Sequence, residues 1–240
     1  MPRSPNGAVS ARIGERPPAS AHVPASSRVY EELRSRIVSL EWPPGAILPR
    51  AELAAAFGVS QSPVREAIQR LEQADLVVSY RQSRTEVTKI DPARLRQEQF
   101  FRAGLECEAV FRLAEAGDDA ALLKVRGVLK IQQALADDLS QIELFRQLDE
   151  SFHRELFIAA GQEALHELVA DRTCQMARLR ALDLPRPDKM RAVIEGHAAI
   201  LAAIETGDGC KAAAAMRRHL SGTIGRLPEI LAERPDYFVG

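Results

Sequence analysis

The 240-residue sequence predicts a mainly α-helical protein, with a small three-helix head carrying a two-stranded ribbon, then an antiparallel bundle of about six helices. Three observations predict it. Aromatic residues make up only 5% of the chain, and Ala and Leu abound while clusters of β-branched residues are few. Apolar residues recur at helical spacing from Arg28 onward. The breaks between these runs carry the residues that stop helices: WPPG, AFGVSQSP, AGDD, ADDLS, AAGQ, DLPRPD and TGDG. At 46% hydrophobic and 27% charged, the chain suits one large or two small soluble domains. No apolar run approaches the ~20 residues of a membrane span, and the N-terminus lacks a signal-peptide core. Three widely spaced cysteines (Cys107, Cys174, Cys210) form neither a disulfide framework nor a paired metal-ligand spacing, which implies a reducing, cytoplasmic compartment.

Residues 1–27, rich in Pro, Ser and Ala, read as a disordered tail. Arg3, Arg12 and Arg16 there can touch DNA phosphates or simply be solvated. The head follows at 28–90. Val29, Leu33, Ile37 and Leu40 form one helical stripe, stopped by WPPG. AELAAAF forms a second helix, closed by Gly58 as a left-handed cap. Ser60 or Ser62 caps a third helix, with Pro63 in its first turn and Val64, Ile68 and Leu71 as its stripe. LVVSY and TEVTKI read as short strands around the turn RQSR.

The bundle occupies 91–232, opened by Asp91-Pro92 and followed by a C-terminal tail, 233–240. Its helices are expected near 91–116, 118–137, 141–160, 162–182, 188–206 and 209–232. Ser140 and Glu143 make a capping box, and Gly161 and Gly207 stand where terminal left-handed glycines belong. The net charge of −1 is uneven: residues 28–90 hold nine basic against eight acidic side chains, and 91–240 hold twenty against twenty-four. That gradient permits nucleic-acid binding at the front.

Helix, tight turn, helix and ribbon make a winged helix-turn-helix pattern. The third helix presents free N–H groups to phosphate, and Ser60, Gln61, Ser62 and Arg65 lie in its first turns, off the apolar stripe. Gln can pair bidentately with adenine and Arg with guanine. Arg81 and Arg84 sit at the wing tip for phosphate or minor groove. The other reading of Arg65 is an intrahelical pair with nearby acids.

The stretch PPGAILPRAELAAAFGVSQSPVREAIQRLEQADLVV resembles the DNA-binding head of the GntR superfamily of bacterial transcription regulators. PG-x-x-L, LA-x-x-x-GVS and PVREA-[IL]-x-RLE match in order and spacing. The resemblance implies contacts to double-stranded DNA through Arg65 with Arg50 and the residues above, in a homodimer on a palindromic operator. Three departures stand out: Gln61 where the family usually has Arg, Asp75 for the usual Gly, and Arg84 where the wing often has Gly.

A second constellation lies in LDESFHREL. Asp149 and His153, four apart, share one helix face among Phe145, Phe152, Leu156 and Phe157. His197 and His219 likewise interrupt apolar stripes on two later helices. One such histidine is usually a satisfied core residue, whereas three with an Asp fit a metal site of mixed N and O ligands. Residues 96–226 resemble the FCD effector domain of the FadR-type branch, through FRAGLECEAV, LDESFHREL, EGHAAILAAIETGD and AAMRRHL. That resemblance implies a divalent ion on Asp149, His153, His197 and His219 (zinc first, nickel or manganese next) and a small carboxylate effector completing the coordination. Arg102 resembles a cavity-facing Arg that would pair with the effector; its alternative is a surface ion pair with Glu106 or Glu98. His166 falls outside the pattern.

The leading expectation is a ligand-responsive regulator, a repressor. Alternatives are a metal-ion sensor, a metallo-hydrolase fused to a DNA-binding head, and an apolar acyl-ligand binder with structural histidines. Neither a G-x-S-x-G motif nor an additional general base placed by a motif supports an enzyme.

Overall fold

Helix α1 (Ala25–Val38) opens the head and begins three residues before the expected Arg28. The computed structural model describes residues 23–80 and 84–240, so most of the N-terminal tail and Arg81 of the wing tip lie outside the described residues. Helices α2 (Arg50–Ala56) and α3 (Gln61–Gln73) follow, then strands β1 (Val77–Ser79) and β2 (Thr85–Val87). Gly58, at φ +62, supplies the left-handed turn that lets α2 stop and α3 cross it. Leu33, Ile37, Val64, Ala67, Leu71 and Leu76 are wholly buried and form the head's core.

β1 and β2 pair antiparallel, Val77 opposite Val87 and Ser79 opposite Thr85. The PGAIL segment lies against the other edge of β2: Leu48 N donates to Thr85 O at 2.8 Å, and Ile47 bridges Glu86. The two strands expected from sequence are therefore flanked by a third extended segment. Asp75 adopts φ +56, the left-handed conformation that a glycine usually supplies. Its carbonyl accepts from Thr88 Oγ1 (2.7 Å) and Gln175 Nε2 (2.9 Å), and its carboxylate pairs with Arg94 at 2.7 Å.

The bundle comprises α4 (Pro92–Ala116), α5 (Leu123–Ala134), α6 (Ile142–Ala159), α7 (Glu163–Arg172), α8 (Cys174–Asp183), α9 (Pro187–Glu205), α10 (Gly209–Gly225) and α11 (Leu227–Glu233). Asp91 caps α4 by accepting from Ala93 N at 2.8 Å, with Pro92 in the first turn where its missing N–H does no harm. The long α4 is the spine: α10 runs against it, and α6, α7, α8 and α9 pack around the pair.

Three expectations need correction. The capping box at Ser140 and Glu143 does not form. Asp138 accepts from Ser140 N and Oγ instead, while Glu143 pairs with Arg146. The helix expected over 162–182 breaks at Thr173, whose backbone is non-helical (φ −123, ψ 37) and whose hydroxyl bonds to Val169 O at 2.8 Å, competing with the helix ladder. The helix expected over 209–232 breaks at Arg226, because Pro228 has no N–H to continue it and sits in the first turn of α11. Gly161 and Gly207 are left-handed as expected.

Residues 233–240 are tied down. Ile90 N donates to Tyr237 O at 2.9 Å, Val239 N to Ile90 O at 3.0 Å, and Phe238 is buried.

Helix α8 joins head and bundle. Cys174 lies in the head's core cluster, and Gln175 reaches the turn after α3. Arg178, fully buried, donates to Thr88 O at 2.6 Å and to Gln175 Oε1 at 3.1 Å. Burial pushes its guanidinium down to about 10, so it stays charged at neutral pH. Glu98 of α4 accepts Met176 N at 2.8 Å, capping α8 from across the bundle.

Candidate metal centre and nucleic-acid interface

Ser60, Gln61, Ser62 and Arg65 are exposed around the start of α3. Ser60 is the N-cap, but its exposed side chain makes no capping bond. Among the described residues no carboxylate lies within 4 Å of Arg65, so the intrahelical-pair reading has no partner here. Arg50 and Arg84 are occupied. Arg50 donates to Thr85 Oγ1 (3.0 and 3.1 Å) and Ser79 Oγ (3.0 Å), clamping α2 to the wing. Arg84 pairs with Glu86 at 2.9 Å and lies over the Tyr80 ring.

In the bundle, one donor atom from each of Asp149, His153, His197 and His219 lies within 4.8 Å of the others. They come from α6, α9 and α10. Asp149 and His153 stand one turn apart on α6, the spacing that puts two side chains on one face. Phe152, between them, stacks flat on His197 at 3.8 Å between centroids and 7° between planes. His153 Nε2 lies 3.3 Å from His219 Nε2, and His197 Nε2 lies 3.4 Å from Asp149 Oδ1.

The outer contacts orient these rings. His153 Nδ1 lies 2.6 Å from Glu106 Oε2, and a carboxylate only accepts, so the ring proton belongs on Nδ1 and Nε2 keeps its lone pair. His197 Nδ1 lies 2.8 Å from Gln132 Oε1, which assigns its proton in the same way; its buried Nε2 has no hydrogen-bond partner among the described residues. Two unprotonated nitrogens therefore aim into one small region beside a carboxylate, with a third imidazole at hand. That donor set fits a divalent ion of borderline character such as zinc, and the outer partners match how metal-binding histidines are held.

The charges agree. Burial pushes His219 down to about 3 and His197 well below the usual range, with the other histidines adding to both. Both rings are neutral, and so competent to ligate, at physiological pH. Burial opposes ionisation of Asp149, but its neighbours His153 and Arg180 outweigh it and hold the carboxyl below its ordinary value. Glu106 is likewise held low, by Arg102 and His153.

Arg102 is neither at the surface nor free. It is buried and ion-paired with Glu106, and it also lines a cavity of about 780 Å³ that reaches Asp149 and His219. The surface-pair alternative is thus right about the partner and wrong about the setting. Sequence reasoning missed Glu106 as the orienting group of His153, Gln132 as that of His197, and Arg180, whose guanidinium lines the cavity near Asp149. Burial and the Arg102 charge push Arg180 down to about 10. The available signal for Arg180 was a cation set among Met176, Leu179 and Leu182. Gly196 was missed too. A Cβ there would stand 2.6 Å from His219 Nδ1, so only glycine lets α9 approach the His219 ring. His166 is buried against Phe157 and lowered by that burial, a packing residue rather than a solvated one.

Residues 25–87 match the family model for bacterial regulatory proteins of the gntR family, and residues 100–222 match that of the FCD domain. The chain belongs to the GntR family of regulators, in its FCD-bearing branch. This regulator is 33% identical over 210 residues to an HTH-type transcriptional regulator of Streptomyces ambofaciens, covering 88% of each chain. It is 27% identical to the HTH-type transcriptional repressor RspR of Escherichia coli, covering 90% of this chain and 94% of that one. Its fold resembles that of E. coli McbR/YncC, with a TM-score of 0.70 at 22% identity, over 89% of this chain and 100% of that one. The regulator thus has a DNA-binding head and an effector-binding helical domain, and its family consists of transcription regulators rather than enzymes. No helix among the described residues is long and apolar enough to cross a membrane.

Proposed function

We propose that this regulator is a cytoplasmic, homodimeric repressor that releases a palindromic operator when a small carboxylate binds beside a divalent metal ion in the helical domain. The observation that carries this reading is the convergence of Asp149, His153, His197 and His219 at a cavity also lined by Arg102 and Arg180. A metal held by those four residues supplies a Lewis-acid anchor for one carboxylate oxygen. Arg102 is committed to Glu106, whereas Arg180, close enough to Asp149 to act on its carboxyl, has no carboxylate partner within 4 Å among the described residues. Arg180 neutralises the other oxygen, while Arg102 and Glu106 hold His153 in register. A cavity of about 780 Å³ far exceeds an ion, which favours an organic effector over the metal as the sole signal.

On the DNA side, Arg65, Gln61, Ser60 and Ser62 are the candidates for base and phosphate contacts. Arg50 and Arg84 act chiefly by fixing the wing. Phe100 stands 84% exposed on α4, an aromatic that a second copy of the chain would cover.

The test is a thermal-shift screen of the zinc-loaded protein against hydroxy acids, sugar acids and dicarboxylates, repeated with Arg180→Met and His219→Ala. A carboxylate that stabilises the wild type, loses its effect in both variants and releases operator DNA sustains the reading. Operator release by zinc alone, with no acid acting, would replace it with a metal sensor.

A further inference from the structure

Interdomain linkers usually run exposed, with few contacts crossing them. The segment that joins this head to its bundle does the opposite. Ile90, between β2 and α4, is wholly buried, packed in a cluster with Leu95 of α4, Met176 and Leu179 of α8, Leu227 and Ile230 of α11, and Phe238. A buried residue needs partners for both of its backbone polar groups. Residues 237–239 supply them: Ile90 N donates to Tyr237 O at 2.9 Å, Val239 N donates to Ile90 O at 3.0 Å, and Phe238 forms a parallel bridge with Ile90.

The linker is thereby clasped from two sides. On one side Arg178 of α8 donates to Thr88 O at 2.6 Å. The other side is the C-terminal strand, carried by α11, which packs on α8 and α10. Beyond Phe238, Val239 borders a cleft of about 570 Å³ that Val78 and Tyr80 of the wing also line. The strand thus meets the bundle through the Phe238 ring, the linker through its backbone and the edge of the wing through Val239. Without it, the N–H and C=O of Ile90 would lose both partners and its side chain part of its apolar cover. A segment in that state lowers its free energy by turning toward water, which would leave the head held by α8 alone.

We propose that Phe238 is a positioning residue for the DNA-binding head: the strand at 237–239 latches the linker and fixes the orientation in which α3 is presented to DNA. The benefit is preorganisation, because a head already held in its binding orientation loses less freedom on docking. Neither the metal nor an effector enters into this role.

A distance between head and bundle tests it in the full chain. Cys210 is exposed on α10 while Cys107 and Cys174 are buried, so one spin label goes on Cys210 and a second on Gln73→Cys, at the exposed end of α3. Labelled chain is diluted in unlabelled chain, so that distances within one chain dominate. The distribution should be narrow with the latch intact and broad in Phe238→Asp. It should also broaden in Val239→Pro, which keeps the buried ring and removes the donor to Ile90 O. Phe238→Leu should restore the narrow distribution. An operator duplex selected from a random pool by the unaltered protein should bind both latch-breaking variants about tenfold more weakly, and Phe238→Leu undiminished. A ring that merely fills the bundle would lower the melting temperature and leave the distances alone. That outcome in both variants would overturn the proposal, as would broadening with unaltered operator affinity. Should Phe238→Asp fail to fold, Val239→Pro decides alone.

Discussion

In the head, the candidate DNA-contacting side chains Ser60, Gln61, Ser62 and Arg65 are exposed, outside the core that Val64, Ile68 and Leu71 of the same helix form, so the outer face of α3 can vary without disturbing the packing behind it. In the bundle the candidate site is part of the core. Phe152, wholly buried, is both a core side chain and the surface on which His197 stacks, and Glu106 and Arg102 are buried with the histidines they orient. The comparison teaches that a site residue of the head can change with little cost to folding, whereas one in the bundle cannot.

The largest expected departure is Phe152→Ala. Loss of a buried ring should cost about 3–5 kcal/mol by urea denaturation and abolish metal binding in the same variant. An unaltered midpoint would break the claim that core and site are one. Next comes removal of the ion. A chelator should lower the melting temperature by roughly 5–10 °C, from the about 2.7 kcal/mol that a ligand at a hundred times its Kd contributes, and the drop should be absent in His219→Ala. Arg65→Ala should weaken operator binding by about 1–3 kcal/mol in a gel-shift titration with no change in melting temperature. A matching loss of stability would erase the contrast.

The smallest test is of pH, in chelated protein. His219 titrates near 3 when folded and near 6.5 when unfolded. The unfolded chain therefore binds more protons between those values, and stability falls as pH drops from about 6.5 toward 3. Glu98, pushed up to about 7 by burial, acts in the opposite sense: its contribution is greatest at low pH and is lost as pH rises through that value. In Glu98→Gln the acid loss of stability should become steeper, because the opposing contribution is gone.

The sequence made these two regions legible to different degrees. α3 was visible because its residues act through local spacing: Gly58, Pro63 and the Val64/Ile68/Leu71 stripe are features of one short stretch. The four candidate metal ligands were visible because each interrupts an apolar stripe. Glu106, Gln132, Gly196 and Arg180 were not, because each acquires its role only across a helix–helix contact that has no signature along the chain. The missed break at Pro228 was a different failure. Its ring forbids the helix at that position, and the sequence alone contained the information.

The position of Cys174 bears on how such proteins diversify. A helix of the second domain completes the interior of the first, and Arg178 and Gln175 bolt it to backbone carbonyls of the wing and the turn. Cutting the chain after Ile90 would leave a socket in the head and expose the apolar surface around it. Shuffling heads among effector domains must therefore carry the matching face of α8 along, and chimeras that join two family members at the linker alone should inherit a mismatched seam.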